Sequence, residues 1–236
     1  MLRYFLRFLW IFLSVTLGLT LVYRWVPVPF TPLMVIRWFE GPQSGQVHRW
    51  SRDWVPLEQI STHMVQASVA AEDQHFMKHH GFDLEAIQKA YQRNQSGTRR
   101  KLGGSTISQQ TAKNVYLWPA RNYLRKALEV YFTVCIELLW PKKRIMEVYL
   151  NSIEMGPGIY GAEAAAQHYF RKSALKLTKK EAALIVAAFP NPRERNPGQP
   201  TRYLRKRANK IQKLMRQIGP VILDPKAVST KTREKN

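Results

Sequence analysis

The chain has 236 residues, 45% of them hydrophobic, which is room for one good-sized domain and an appendage. Its 37 lysines and arginines stand against 16 acidic residues, and the resulting charge of +21 implies an anionic partner: nucleic acid, anionic lipid headgroups or a phosphorylated substrate. The single cysteine, Cys135, excludes an intrachain disulfide and any CxxC-type zinc or redox framework, and between Val134 and Ile136 it reads as a small core hydrophobe.

Phe8 to Tyr23 carries no charge and is rich in Phe, Leu, Trp, Ile and Val. At about 1.5 Å per residue it spans roughly 24 Å, a little short of the roughly 30 Å bilayer core. Arg7 and Arg24 can snorkel to the two surfaces, and Trp10, Tyr23 and Trp25 suit the interfaces. A cleaved signal peptide is the alternative, but Tyr-Arg-Trp-Val-Pro follows the apolar run where a small-x-small cleavage site belongs, so a retained anchor over residues 8–25 is expected. Arg3 and Arg7 on one side against Arg24 and Arg37 on the other give little orientation signal.

Residues 26–54 read as a connector: Val26-Pro-Val-Pro-Phe-Thr-Pro is stiff and extended, a turn is expected at Gly41-Pro42 and a short strand near Val47 to Trp50. From Pro56 the patterns are helical. Ile60, Met64, Ala67 and Ala71 repeat at helical spacing, and Asp83 suits the N-cap of a helix that places Leu84, Ile87 and Tyr91 on one face. A basic loop follows from Arg93 to Leu102, and Ser105 is expected to cap the next helix, which reaches about Leu117. Further helices are expected over Arg121–Trp140, Lys143–Asn151, Ala162–Phe170, Lys179–Ala188 and Thr201–Ile218, with Gly156-Pro-Gly breaking the pattern. The main domain is placed at 55–220, a basic polar tail at 221–236, and the fold reads as mainly α.

Three clusters carry chemistry. Glu72 ends the apolar stretch Val69-Ala70-Ala71, where desolvation disfavours its charged form and suits it to take a proton; Asp73 beside it adds like-charge coupling, and a surface pair at a helix end is the bland alternative. His75, His79 and His80 supply too few ligands, with no second Glu-x-x-His in the chain, for a tight metal site, so no metal ligand is assigned. Gly103-Gly104-Ser105-Thr106 can offer backbone N–H groups to phosphate oxygens at a helix start, although it lacks the order of a nucleotide-binding P-loop. Beyond it Thr106, Gln109, Gln110 and Lys113 share a helical face of donors and one cation, or equally a solvated polar face. Arg125, Lys126 and Glu129 are spaced for i, i+3 and i, i+4 ion pairs, which explain them without function as readily as with it.

Taken together, these stretches resemble the family 51 glycosyltransferases, the peptidoglycan transglycosylases. Glu72-Asp73-x-x-Phe76-x-x-His79-x-Gly81, then Gly103-Gly104-Ser105-Thr106-x-x-Gln109-Gln110-x-x-Lys113-Asn114, then Arg125-Lys126-x-x-Glu129 match its first three motifs in order, and Ile145 to Asn151 continues the third. Gly158 to Ala166 and Glu181 to Pro197 match the last two, so the match covers about residues 55–200. The resemblance implies a lysozyme-like helical domain that polymerises lipid II, with residues 1–7 as a cytoplasmic tip and the domain on the periplasmic side of a bacterial inner membrane. It implies Glu72 as the general base on the acceptor 4-hydroxyl, with inversion at the anomeric carbon, and Glu129 as a second catalytic carboxylate. Asp73, Phe76, His79, Ser105, Thr106, Gln109, Gln110, Lys113, Asn114, Arg125 and Lys126 are expected to meet substrate. The expected partners are lipid II, the growing glycan strand, membrane lipids and other cell-wall or division proteins, and not nucleic acid. No tightly bound cofactor is expected; a magnesium or manganese ion at the pyrophosphate is the one the resemblance admits. Ser173-Ala-Leu-Lys176 has transpeptidase-like spacing without the partner motifs, so a monofunctional enzyme is expected. A lysozyme-like lytic enzyme and a membrane-tethered nucleic-acid-binding module are the competing readings; neither needs a three-cation cluster together with an anchor.

Overall fold

The computed structural model describes residues 1–41, 50–95, 104–120 and 122–224, so most of the basic loop, the residues around the expected Val47 strand and the C-terminal tail lie outside the described residues. Ten α-helices and one small sheet are found among them. Helix α1 (Leu2–Val22) is apolar and long enough, roughly 31 Å at about 1.5 Å per residue, to cross a bilayer. It begins six residues before the uncharged run, so Arg3 and Arg7 lie within it.

The connector is not wholly extended. Thr31 accepts a hydrogen bond from the Met34 amide and Pro32 occupies the first turn, and together they start α2 (Pro32–Glu40), a short helix hidden from sequence by its proline-rich approach. The small sheet is built from β1 (Ser51–Arg52), which pairs in parallel with β3 (Ile159–Tyr160), and β2 (Glu154–Gly156), which pairs antiparallel on the other side of β3 with a bulge.

The remaining helices are α3 (Thr62–Glu72), α4 (Leu84–Gln95), α5 (Ile107–Tyr116), α6 (Tyr123–Leu139), α7 (Lys142–Ser152), α8 (Ala162–Phe170), α9 (Lys179–Ala188) and α10 (Arg202–Ile218). Their starts are set by side-chain caps: Ser61, Asn122 and Thr201 each accept from an amide of the first turn, and Thr178 with Glu181 forms a full capping box for α9. Helix α9 lies at the centre, buried from Ala182 through Ala188, and packs on α3 and α10. Alanines on both partners, Ala67 and Ala70 on α3 and Ala182, Ala183 and Ala187 on α9, leave little bulk between the two axes. Helix α5 packs on α6 and α7 and completes the core.

Helix α1 is docked on this domain. The Thr16 hydroxyl lies 2.7 Å from the Tyr131 hydroxyl, the Trp140 indole donates to the Thr20 carbonyl at 2.7 Å, and the Phe12 and Tyr131 rings meet at 5.6 Å. Just past the helix, Arg24 donates to the Leu139 carbonyl at 2.7 Å, while Arg144 donates to the carbonyls of Tyr23 and Val26 at 3.0 and 2.6 Å. On α6, Tyr123, Leu124, Val130, Val134 and Leu138 are exposed apolar residues.

Thr178→Ala removes the cap of the central helix and should destabilise the fold by about 1 kcal/mol. In thermal unfolding that corresponds to a Tm lower by about 2–4 °C.

Candidate active site

Glu72 is the last residue of α3 and Asp73 turns the chain out of it, so the two neighbouring carboxylates face different surroundings. Asp73 is buried. Its oxygens receive the His79 ring Nε2 at 2.9 and 3.0 Å, and Oδ2 also accepts the Ile107 amide at the start of α5, at 2.9 Å. His79 Nδ1 accepts the Gly81 N–H at 3.1 Å; the proton must then sit on Nε2, and the ring is fixed as a donor to Asp73. The Thr106 hydroxyl donates to the Gly81 carbonyl at 2.6 Å, which fastens the same loop to α5 a second time.

His75 pairs instead with Asp83, Nδ1 to Oδ2 at 2.8 Å, and Asp83 Oδ1 accepts the Ala86 amide at the start of α4. Burial works against the Asp83 charge, but the Ala86 N–H and the His75 ring outweigh it and hold the carboxyl below its ordinary value. The histidines therefore fix the loop through carboxylates.

Helix α5 divides the residues expected on its donor face. Its N-cap is Thr106 and not Ser105: the Thr106 hydroxyl accepts the Gln109 amide while Gln109 Oε1 accepts the Thr106 amide. Both side chains are buried in this box, although Thr106 still contributes to the lining of the cleft. Phe76 is fully buried, with Lys142 Nζ 4.6 Å from its ring centre. Ser105 is exposed at the mouth of a cleft of 320 Å³ lined also by Glu72, His75, Asp83 and Lys89. Gln110 turns toward α3, and its Nε2 donates to Glu72 Oε2 at 3.1 Å. Asn114 is half-buried, about 100° around the helix from Lys113.

Helix α6 supplies the cations. Its cap, Asn122 Oδ1, accepts the Arg125 amide at 2.7 Å, which fixes the first turn. Glu129, 3% exposed, takes Arg125 NH1 on Oε2 at 2.7 Å and the Lys126 ammonium on Oε1. Lys126 remains largely exposed, and Arg125 Nε is a buried donor with no partner among the described residues. Lys113 on α5 lies within electrostatic reach of Glu129, Arg125, Lys126 and Glu72 at once. Burial, aided by the two neighbouring cations and opposed by the two carboxylates, holds its ammonium below the ordinary lysine value.

Two residues not among the expected site residues lie beside it: Tyr149, within the stretch that continues the third motif, and Glu137, which no motif marks. Tyr149 reads as one of the apolar positions of its helix, yet its hydroxyl lies 3.3 Å from Gln110 Oε1. Glu137 accepts from the Ser108 hydroxyl and from Lys142 Nζ, tying α5, α6 and the start of α7 together.

A carboxylate beside an open cleft, a cluster of three cations on the adjoining helices and a docked apolar helix define an enzyme that works on a charged group at a membrane surface. The chain belongs to the transglycosylase family, whose profile matches residues 40–216. It is similar to proteins named biosynthetic peptidoglycan transglycosylase: 56% identical over 193 residues to that of Caulobacter vibrioides, covering 82% of this chain and 81% of the relative. To that of Bacteroides thetaiotaomicron it is 49% identical over 238 residues, covering 99% and 95%. To that of Bdellovibrio bacteriovorus it is 49% identical over 217 residues, covering 92% and 84%.

Gly81 tests the loop that holds this site. Its φ is +95°, and an added Cβ would meet Thr133 Cγ2 at 2.8 Å. Gly81→Ala should cost about 1–3 kcal/mol in chemical denaturation, through backbone strain and this clash together. Combining it with Thr133→Ser should recover the part due to the clash alone.

Proposed function

We propose how this chain carries out peptidoglycan glycosyl transfer: it polymerises lipid II by moving the growing, pyrophosphoryl-lipid-linked strand onto the 4-hydroxyl of an incoming lipid II. Glu72 takes the proton of that hydroxyl as the oxygen attacks the anomeric carbon from the face opposite the leaving group, so α linkage becomes β. The transition state has oxocarbenium character, and negative charge gathers on the departing pyrophosphate. Lys113, Arg125 and Lys126 meet that charge. Glu129, with both oxygens engaged, orients Arg125 and Lys126. The unpartnered Arg125 Nε is a donor for a phosphate oxygen. Ser105 and Asn114 are the remaining polar contacts, while Asp73, Phe76, His79, Thr106 and Gln109 hold the frame.

The observation that carries this reading is that Lys113 follows, one turn later on α5, the Gln110 that bonds Glu72, and feels both Glu72 and the Arg125–Lys126–Glu129 group. A base for the acceptor and an electrostatic sink for the leaving group are thereby brought to the two ends of one short helix face. Among the described residues no three metal-ligating side chains converge, and both Glu129 oxygens are taken by cations. The leaving-group charge is assigned to the protein's cations, and a magnesium or manganese ion carried by the pyrophosphate, with most of its ligands from phosphate and water, would add to them. The anchor is read as crossing a bacterial inner membrane once, with the domain on the periplasmic side, where the docking of α1 along α6 keeps the cleft close to the lipid-borne substrate.

Glu72→Gln in the full-length protein, incubated with labelled lipid II, should lower strand synthesis by about 10²–10⁴-fold, the usual worth of general base catalysis, at unchanged Tm. Near-normal polymer from that variant removes Glu72 from the base role. Lys113 must be charged to act and titrates below an ordinary lysine, so the rate should fall on the alkaline side as Lys113 loses its proton. Lys113→Arg, which keeps its charge, should carry that limb to higher pH; an unmoved limb would assign it to another group.

A further inference from the structure

Helix α7 places behind the base one side chain, Tyr149, to which the motif pattern assigns no role. Tyr149 is fully buried, with the Phe189 ring edge-on to it at 6.4 Å, and its hydroxyl reaches Gln110 Oε1 at 3.3 Å. Gln110 in turn donates from Nε2 to Glu72 Oε2 at 3.1 Å. The direction of this chain is fixed chemically: a carboxylate can only accept, so the amide nitrogen must face Glu72 and the amide oxygen must face the tyrosine hydroxyl. Burial, reinforced by the charges of Glu72 and Asp73, keeps that hydroxyl protonated far beyond its ordinary range, so it acts as a donor throughout.

We propose that Tyr149 is a positioning residue for the transfer: through Gln110 it locks the Glu72 carboxylate by Oε2 and leaves Oε1 as the oxygen that accepts the proton. Glu72 Oε1 makes no hydrogen bond within the described residues, while Oε2 has the Gln110 partner. Two aligned dipoles ending on one oxygen reinforce each other in a site of low dielectric and set both the rotation and the basicity of the carboxylate. The inference rests on Glu72 being the base. Other charged or titratable groups around Glu72 are Asp73 beside it, His75 and Asp83 in the following loop, Lys89 on α4 and Lys113 on α5.

Removing the hydroxyl frees the Gln110 amide to turn, and the carboxylate then loses part of the donation that favours its charged form. The test uses the full-length protein with lipid II, comparing wild type, Tyr149→Phe, Gln110→Met, the double variant and Glu72→Gln for kcat, KM and the pH profile. Tyr149→Phe should lower kcat about fivefold with KM within about twofold, and move the acid limb of kcat/KM up by about half a pH unit, equivalent to about threefold in the base's proton affinity. Gln110→Met should move the limb the same way and further, and adding Tyr149→Phe to it should change nothing more, because the tyrosine acts only through the amide. An unmoved limb in a Tyr149→Phe protein of normal Tm, or losses that add in the double variant, overturns the proposal. If Tyr149→Phe lowers the Tm sharply, Gln110→Met alone decides by the same limb. Glu72→Gln separates the two levels: activity there removes the base itself, whereas an inactive Glu72→Gln beside an unmoved limb removes only the positioning role.

Discussion

The hydrogen bonds that Asp73 accepts from His79 and from the Ile107 amide hold the end of α3 against the start of α5, and the whole cleft is built outward from that junction. Both helices end here with open backbone groups, and each junction bond satisfies a donor that burial would otherwise leave unpaired. Both carboxylates line the cleft, but the Asp73 oxygens are occupied by the frame, whereas Glu72 has only the Gln110 amide on one oxygen among the described residues. Gly81 completes the clamp, since its N–H fixes the His79 tautomer and its carbonyl takes the Thr106 hydroxyl. From this fixed start, α5 carries Gln110 to Glu72 and, one turn later, Lys113 to the cations of α6.

A second constraint comes from the apolar side. Thr16 and Thr20 of α1 return their hydroxyls to the carbonyls of Phe12 and Thr16 at 2.7 Å each, the usual way a polar side chain is satisfied inside an apolar helix. Thr16 also meets the Tyr131 hydroxyl, and the Thr20 carbonyl receives the Trp140 indole, so the anchor reads the surface of α6 at defined heights. Tyr131 stands edge-on to Phe132, and Phe132 stacks on Tyr116 at 4.3 Å, which continues the contact into α5. The same two helices thus carry the cations on one side and the docked anchor on the other. The exposed apolar residues of α6, among them Leu124, Val130 and Leu138, extend that side and fit a lipid surface better than water.

Much of this was legible in the residues, and the failures have physical reasons. Helix periodicity located the core helices, because burial on one face is what spacing records. It missed α2 because a threonine cap and a first-turn proline start that helix just after two alternating prolines, Pro27 and Pro29. It placed the cap of α5 one residue early, since Ser105 and Thr106 are equally good caps and only the Gln109 side chain distinguishes them. Motif spacing gave Phe76, Thr106 and Gln109 the same standing as Glu72, Lys113 and the Arg125–Lys126–Glu129 group, although the first three are buried in the frame. Nothing in a linear pattern separates a side chain that holds a loop from one that meets a substrate. Tyr149 read as an apolar core position for a physical reason: its ring is core, and only its hydroxyl is polar.

The charge of the chain shows the same division between what composition tells and what a site uses. Three cations, Lys113, Arg125 and Lys126, gather around Glu129, whereas α10 alone carries Arg202, Arg205, Lys206, Arg207, Lys210, Lys213 and Arg216 with no acidic residue among them. Its buried stripe, Leu204, Ala208, Ile211 and Met215, turns to α3 and α9, and Gln66 of α3 closes its last turn by donating to the Met215 and Gly219 carbonyls at 2.8 and 2.6 Å. A third of the excess charge therefore lies on this one helix, largely on its exposed face, where water and salt screen it. The Glu129 cluster differs in kind: Arg125 is buried, Lys113 is largely so, and Lys126 is held by Glu129 though exposed, so the geometry of these few cations is set by the fold. Burial is the property that separates these cations from those of α10, and a count of lysines and arginines cannot contain it.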